Sequence, residues 1–429
     1  MNWMRLFCFL NRRLRCRLFL ISWIKHFSVA ACLSVLLSIS VSAAQIELTG
    51  LTGIRNSPNS RQRSRPNQSD ENDIWCGLKF QYADSLRLVN NDTASLYWDV
   101  IAFKEDENVY SSSEPLLNIL ELFITTDIGD YCAINIGRLN LVNGISSSYR
   151  PVDYFRYSTI VMQDSFSLRD LIRNRIGQIG FQFELFHEKL STEIFLSPKI
   201  ESISENSNSK DCVLLKMVPE LGANLYSEFY LFLDDDSHNI GGSLSYNLLP
   251  DLLGYLEFNV SDDSDTQIID NSDNDTKFTA IGNDHTLHLV IGSSLQVGRW
   301  FLSRLEYVYL SDGYNSEQSD DYYNIFATSD KTNSDYINAL NNYSNEFSSQ
   351  HYMYFETEYY INKLKMRIIP TLIFNLQDQS YSLGLNFNWE ILDNIQFFSR
   401  SYFRMGDERS EFGSAPDKTV IFSGIKYCF

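Results

Sequence analysis

The chain is 429 residues long, with 54 Asp and Glu against 35 Lys and Arg and a formal net charge of −19. Charge of that sign repels phosphate backbones and excludes nucleic acid as a partner. After the N-terminal region no apolar run approaches the roughly twenty residues a membrane-spanning helix needs, which leaves a soluble all-β protein or a membrane β-barrel.

Residues 1–43 read as a cleaved export signal. Arg5, Arg12, Arg13, Arg15, Arg17 and Lys25 precede an uncharged apolar stretch from Phe27 to Ile39, and Val41-Ser42-Ala43 supplies small residues for cleavage before Ala44. A retained anchor helix is the alternative, but the apolar core is short for a hydrocarbon layer about 30 Å thick. Removing these six basic residues leaves 29 Lys and Arg against 54 Asp and Glu, a net of −25 over 44–429. The remaining cysteines, Cys76, Cys132, Cys212 and Cys428, would meet an oxidising periplasm. They lack metal-site spacing and fall in strands, which predicts burial there with room for one disulfide.

From residue 45 onward, aromatic and aliphatic side chains recur at alternate positions in stretches of about ten, the length of a tilted transmembrane strand. Phe229, Leu231 and Leu233 share one parity and Tyr226, Glu228 and Tyr230 the other. Leu256, Phe258 and Val260 oppose Tyr255 and Glu257, and Phe301, Leu305 and Tyr307 oppose Arg304 and Glu306. A charge on the lipid face costs roughly 2–4 kcal/mol near the midplane, so the charged parity is assigned to the lumen. The first nine strands are predicted at 45–54, 74–82, 94–103, 116–126, 131–138, 178–186, 190–197, 211–218 and 223–233. The second nine fall at 239–248, 253–261, 285–295, 300–310, 350–361, 364–376, 380–389, 395–404 and 419–429.

Eighteen strands bring both termini to one side, with short turns at 127–130, 187–189, 219–222, 249–252, 296–299, 362–363 and 390–394. Long segments at 55–73, 139–177, 262–284 and 311–349 then lie on the other side. The alternation depends on the weak strand 211–218; a sixteen-stranded barrel is the alternative. The Asp-rich 262–284 and the Ser-, Asn-, Asp- and Tyr-rich 311–349 read as surface loops. The Asp spacing matches no EF-hand, and no metal or cofactor is expected.

The chain closes with Thr419-Val420-Ile421-Phe422-Ser423-Gly424-Ile425-Lys426-Tyr427-Cys428-Phe429, in which Ile421, Ile425 and Tyr427 share the parity of the terminal Phe429. This resembles the C-terminal assembly signal of Gram-negative outer-membrane proteins, and the resemblance implies recognition by the barrel-assembly machinery. A second stretch, Asn135-Ile136-Gly137-Arg138 followed by Gly144 and Arg150-Pro151-Val152-Asp153, is similar to the Gly-Arg, small residue, Pro-x-Asp arrangement of porin-like families. Ser410-Glu411-Phe412-Gly413 with Pro416 looks like their final outer loop. The resemblance implies an outer-membrane location, contact with outer-membrane lipid, and one long loop folded into the lumen; it assigns no oligomeric state.

Segment 139–177 is the candidate for that loop. Arg138, Arg150, Arg169, Arg173 and Arg175 lie at or within it, and Glu184, Glu228, Glu257 and Glu306 sit on lumen parity. Opposed basic and acidic groups there would set a transverse field and hence selectivity; ion pairing within the loops is the blander alternative. Chemistry has little support. His285 and His288 point to opposite faces of a strand, and no Ser, Asp or phosphate-loop motif accompanies any histidine. The expected function is passive diffusion of small hydrophilic solutes through the barrel. The alternatives are a plugged structural or surface-binding barrel and, third, a barrel hydrolase.

Overall fold

A computed structural model describes residues 45–56, 73–87, 94–106, 116–155, 175–200, 208–264, 267–270, 277–280, 285–328, 347–415 and 417–428. The proposed export signal, Arg169, Arg173, Pro416 and Phe429 lie outside the described residues.

Alternation of apolar and polar side chains produces strands wherever it was predicted to. The first half contains β1 (Gln45–Asn56), β2 (Asp73–Arg87), β3 (Ala94–Asp106), β4 (Leu116–Asp127), β5 (Cys132–Leu139), β6 (Gln178–His187), β7 (Leu190–Ser197), β8 (Cys212–Pro219), β9 (Leu225–Asp234) and β10 (His238–Leu249). The second half contains β11 (Leu252–Ser261), β12 (Gln267–Asp270), β13 (Lys277–Ala280), β14 (Thr286–Val297), β15 (Phe301–Leu310), β16 (His351–Ile361), β17 (Met366–Asn375), β18 (Tyr381–Leu392), β19 (Ile395–Met405) and β20 (Thr419–Cys428). Among the described residues, two helices lie between strands, α1 (Ser316–Thr328) and α2 (Glu411–Ser414).

Eighteen of these strands form one antiparallel sheet in which each pairs with its neighbours in sequence, and β1 pairs with β20 to close the ring. Closure removes the sheet edges that would otherwise leave backbone groups unpaired in lipid. The weak strand is real: β8 pairs with β7 along its full length and with β9 from Cys212 to Met217, so the sixteen-stranded alternative is excluded.

The two faces separate by polarity. Ile240, Ile291, Leu305, Leu383 and Ile425 are exposed on the outside, whereas Glu257 and Glu306 on the alternate parity are fully buried within. At Gly137 the backbone adopts φ +138°, and a Cβ there would lie 2.2 Å from the carbonyl oxygen of Leu122, so only glycine fits against β4.

Three expectations need correction. Segment 262–284 is not wholly irregular, because Gln267–Asp270 and Lys277–Ala280 pair as a two-stranded hairpin. Segment 311–349 carries α1, whose Tyr322 and Tyr323 are buried. Cys132, Cys212 and Cys428 are unbridged, and only Cys212 is buried; Cys428, at the free end of its strand, is exposed.

Candidate functional site

The inside of the barrel is occupied at its loop end by the residues that follow β5. Arg175 fastens the beginning of this segment to its return. Its Nε donates to Asn140 Oδ1 at 2.9 Å, one terminal nitrogen donates to both Asp153 oxygens at 2.9 Å, and the other donates to the Leu141 carbonyl. The Arg175–Asp153 pair is almost wholly removed from solvent. A buried pair with this many satisfied donors is costly to break from one side, about 3–5 kcal/mol, because the orphaned charge stays desolvated.

From there the chain lies along the inner face of β9 to β15, held by two glutamates of the wall. Ile145 N and Ser146 N donate to Glu257 Oε2 at 2.7 and 3.0 Å. Ser147 N and Ser148 N donate to the two oxygens of Glu306 at 2.7 and 2.8 Å. Four consecutive amides thus meet two carboxylates, the arrangement by which backbone N–H groups hold anions. Gly144, at φ +84°, permits the approach: a Cβ there would lie 2.5 Å from the Glu257 carboxylate.

The fit continues outward. Tyr149 OH and His288 Nδ1 are 2.9 Å apart, His288 Nε2 and Asp312 Oδ1 are 2.7 Å apart, and Tyr154 OH donates to Asn259 Oδ1 at 3.2 Å. Burial opposes ionisation of Asp312, but the hydrogen bond and charge of His288 outweigh it and hold that carboxyl below its usual range.

This geometry revises the expected roles. Glu257 and Glu306 anchor the loop rather than face solvent across the pore. Glu228 is also engaged: Lys216 Nζ lies 2.9 Å away, and Tyr226 and Ser243 donate to it at 2.6 and 3.1 Å. Glu184 accepts from Asn135 Nδ2 at 2.9 Å. Arg175 is committed to Asp153, and Arg150 Nε donates to Ser146 O at 2.9 Å.

Arg138 leaves the lumen set. It lies opposite Leu122, which is exposed on the outer face, while the adjacent Leu139 is buried inside; the strand's alternation therefore turns Arg138 outward, where it donates to Ile119 O at 3.0 Å. Of the terminal strand, Ile421 and Ile425 face outward, while the intervening Phe422 is buried on the inner side.

Two basic residues had escaped notice. Arg400 and Arg404 share the parity of the buried Tyr402, which pairs with the buried Val420, so both point inward. Arg400 lies over Phe398 and Arg404 over Tyr402, with the guanidinium carbons 5.4 and 4.9 Å from the ring centroids. In the ring order β19 lies far from β8 and β9, so these arginines face the wall that carries Glu228 across the lumen. The parity rule applied to 395–404 would have found them.

A second set of contacts ties the outer segments together around Glu411. Its carboxylate accepts from Ser348 N at 3.1 Å, Tyr352 OH at 2.5 Å and Asn375 Nδ2 at 2.8 Å, while its own amide donates to Asp378 at 2.7 Å. Burial pushes its pKa up to about 7 against these hydrogen bonds. Between this assembly and the inward segment lies a cavity of about 480 Å³, with Tyr149, Tyr154, Asn259, Asp263, Tyr314 and Phe347 in its lining.

No protein-family model matches the sequence, and no curated protein matches it. Solved structures do. The chain is similar to Pseudomonas aeruginosa OccK3 (OpdO), with 13% identity, a TM-score of 0.52 and coverage of 90% of this chain and 95% of that one. Pseudomonas aeruginosa OccK5 (OpdH) matches at 10% identity and a TM-score of 0.52, covering 91% of this chain and 98% of that one. Acinetobacter baumannii OccAB3 matches at 14% identity and a TM-score of 0.50, covering 90% and 98%. These are outer-membrane porin barrels, and at such identities the likeness establishes the fold.

Proposed function

We propose that the chain is an outer-membrane channel for passive diffusion of small hydrophilic solutes, in which segment 139–177 narrows the lumen. The observation that carries this reading is the docking of four successive amides, Ile145 to Ser148, onto Glu257 and Glu306 of the inner wall. A loop held across a closed barrel sets the width of any aqueous path through it. On this reading residues 1–43 direct export, lipid surrounds the apolar outer face, and the terminal strand with Phe429 is what the assembly machinery engages. The interior groups described above act as binding and field-setting residues, and none is assigned a catalytic role.

A second reading, a plugged barrel serving as structure or surface receptor, is favoured by one observation. Leu141, Val152 and Phe155 of the inward segment pack with Phe195, Leu214 and Phe232 of the wall into a buried apolar cluster, so part of the loop end is filled.

Single-channel recording of the refolded 44–429 chain in a planar bilayer at two salt concentrations separates the two. Stable current steps that scale with salt support the channel, and Glu257→Ala with Glu306→Ala should then enlarge or destabilise the steps as the loop loses its anchor. A folded but silent barrel sinks the channel reading in favour of the plugged one.

A further inference from the structure

The cavity between the inward segment and the outer loops is built for recognition as well as passage. Its volume of about 480 Å³ falls within the roughly 300–1,000 Å³ of small-molecule sites. Aromatic rings contribute much of the lining: Tyr154 is stacked on Phe232 with centroids 4.6 Å apart, and Phe347 meets Tyr149 edge-on at 5.9 Å. Tyr154 and Phe347 are only half-buried, so each turns part of a ring to the space between.

The charged groups of the lining come in opposed sets. Asp153 is paired with Arg175 at 2.9 Å, Lys210 is shared between Asp234 at 3.5 Å and Asp236 at 3.1 Å, and Asp312 meets the His288 ring at 2.7 Å. The other two, Asp263 and Arg150, are of opposite sign. Paired charges contribute less field to an incoming ion than free ones; Asp153 and Arg175 are closed to solvent, so hydrogen bonding to a solute falls to the more open Lys210 and Asp263. Asn259 adds a planar amide, already oriented by Tyr154 and by Asn239 at 3.1 Å. Apolar ring faces beside polar groups that are mostly engaged with one another match a solute with apolar C–H faces, many hydroxyls and no net charge.

We propose that this cavity is a saturable binding site for small neutral saccharides. The proposal deepens the channel reading and rests on it for the sugar's route through the barrel, whereas binding itself does not require conduction.

The test is calorimetric titration of the folded chain, extracted in detergent from expressing cells, with glucose and maltose against glucosamine and glucuronate, which place a positive or a negative charge on a similar ring. Saturable binding of glucose or maltose at least as tight as that of the two charged sugars is expected. Phe347→Ala should weaken it about tenfold through loss of the ring face, and Phe347→Tyr should restore it. If Phe347→Ala does not fold, Asp263→Ala at the exposed rim serves, with weakening of several-fold expected. Absence of saturable binding by both neutral sugars, or tenfold tighter binding of either charged one, overturns the proposal. Conductance recorded on the same preparation separates the two readings: sugar binding without current removes the channel and keeps the site, while current without sugar binding does the reverse.

Discussion

Glu411 is a buried carboxylate held by hydroxyl, amide and backbone donors from three different segments, and its pKa of about 7 lies above the ordinary glutamate value of 4.5. When a carboxyl binds its proton more readily in the folded state, the folded state gains stability as the group protonates. That contribution is complete below the unfolded pKa near 4.5 and is lost as pH rises through about 7. A shift of this size corresponds to at most about 3 kcal/mol. The contacts joining Ser348, Tyr352 and Asn375 to Glu411 should therefore loosen between pH 5 and pH 8. Protection factors of the Ser348 and Ser349 amides, which remove the base-catalysed rise of intrinsic exchange with pH, should fall across that window in the native chain, and Glu411→Gln should flatten the profile; native protection already independent of pH would remove Glu411 as the titrating group. Gly144 sets a second limit at this scale. Any side chain at this position meets the Glu257 carboxylate, so Gly144→Ala should displace the loop as effectively as loss of its acidic anchor, read as the same change in current steps.

At the scale of strands and loops, the periodicity of two carried most of the information. β8 was the weak case, placed at 211–218 because the alternation of short turns and long loops depends on it, and its pairing on both sides bears this out. The same parity makes a quantitative prediction. Leu305, near the middle of β15, is 45% exposed on the outer face, whereas Val308 on the opposite parity is fully buried. Leu305→Arg should lower unfolding stability in lipid by roughly 2–4 kcal/mol, measured by denaturant titration; a cost near zero would mean that this face does not meet hydrocarbon. What the sequence did not disclose were contacts made by the backbone. Glu257 and Glu306 were correctly placed on the inner face, but their partners are amides of Ile145 to Ser148, and an amide carries no residue identity that composition or spacing can reveal. The β12–β13 hairpin and α1 were hidden for a related reason. Both lie in stretches dominated by Asp, Asn and Ser, and the two tyrosines that α1 buries, Tyr322 and Tyr323, are adjacent in sequence and set no period that marks a helix.

At the scale of the whole barrel, the remaining question is which basic groups set the field across the lumen. The density of arginine in 139–177 directed attention to Arg169 and Arg173, whereas the described interior presents Arg400 and Arg404 on β19, facing a wall rich in carboxylates. The two sets make different demands. Arg400 lies along the wall with one N–H donated to the Phe387 carbonyl at 3.0 Å, an anchor supplied by the barrel itself. A barrel of residues 44–429 with net charge −25 already favours cations, and a basic stripe inside would temper that preference. Replacing Arg400 and Arg404 by Gln should move the reversal potential in a salt gradient towards greater cation selectivity. The effect should persist when Glu257 and Glu306 are also replaced and the loop is released. The Arg169→Gln, Arg173→Gln pair should show its shift only while those anchors are intact, if its charges act from a docked loop. A reversal potential indifferent to Arg400 and Arg404 would return the field to the loop arginines; one indifferent to both pairs would mean that the mouth, through its acidic residues, governs selectivity by itself.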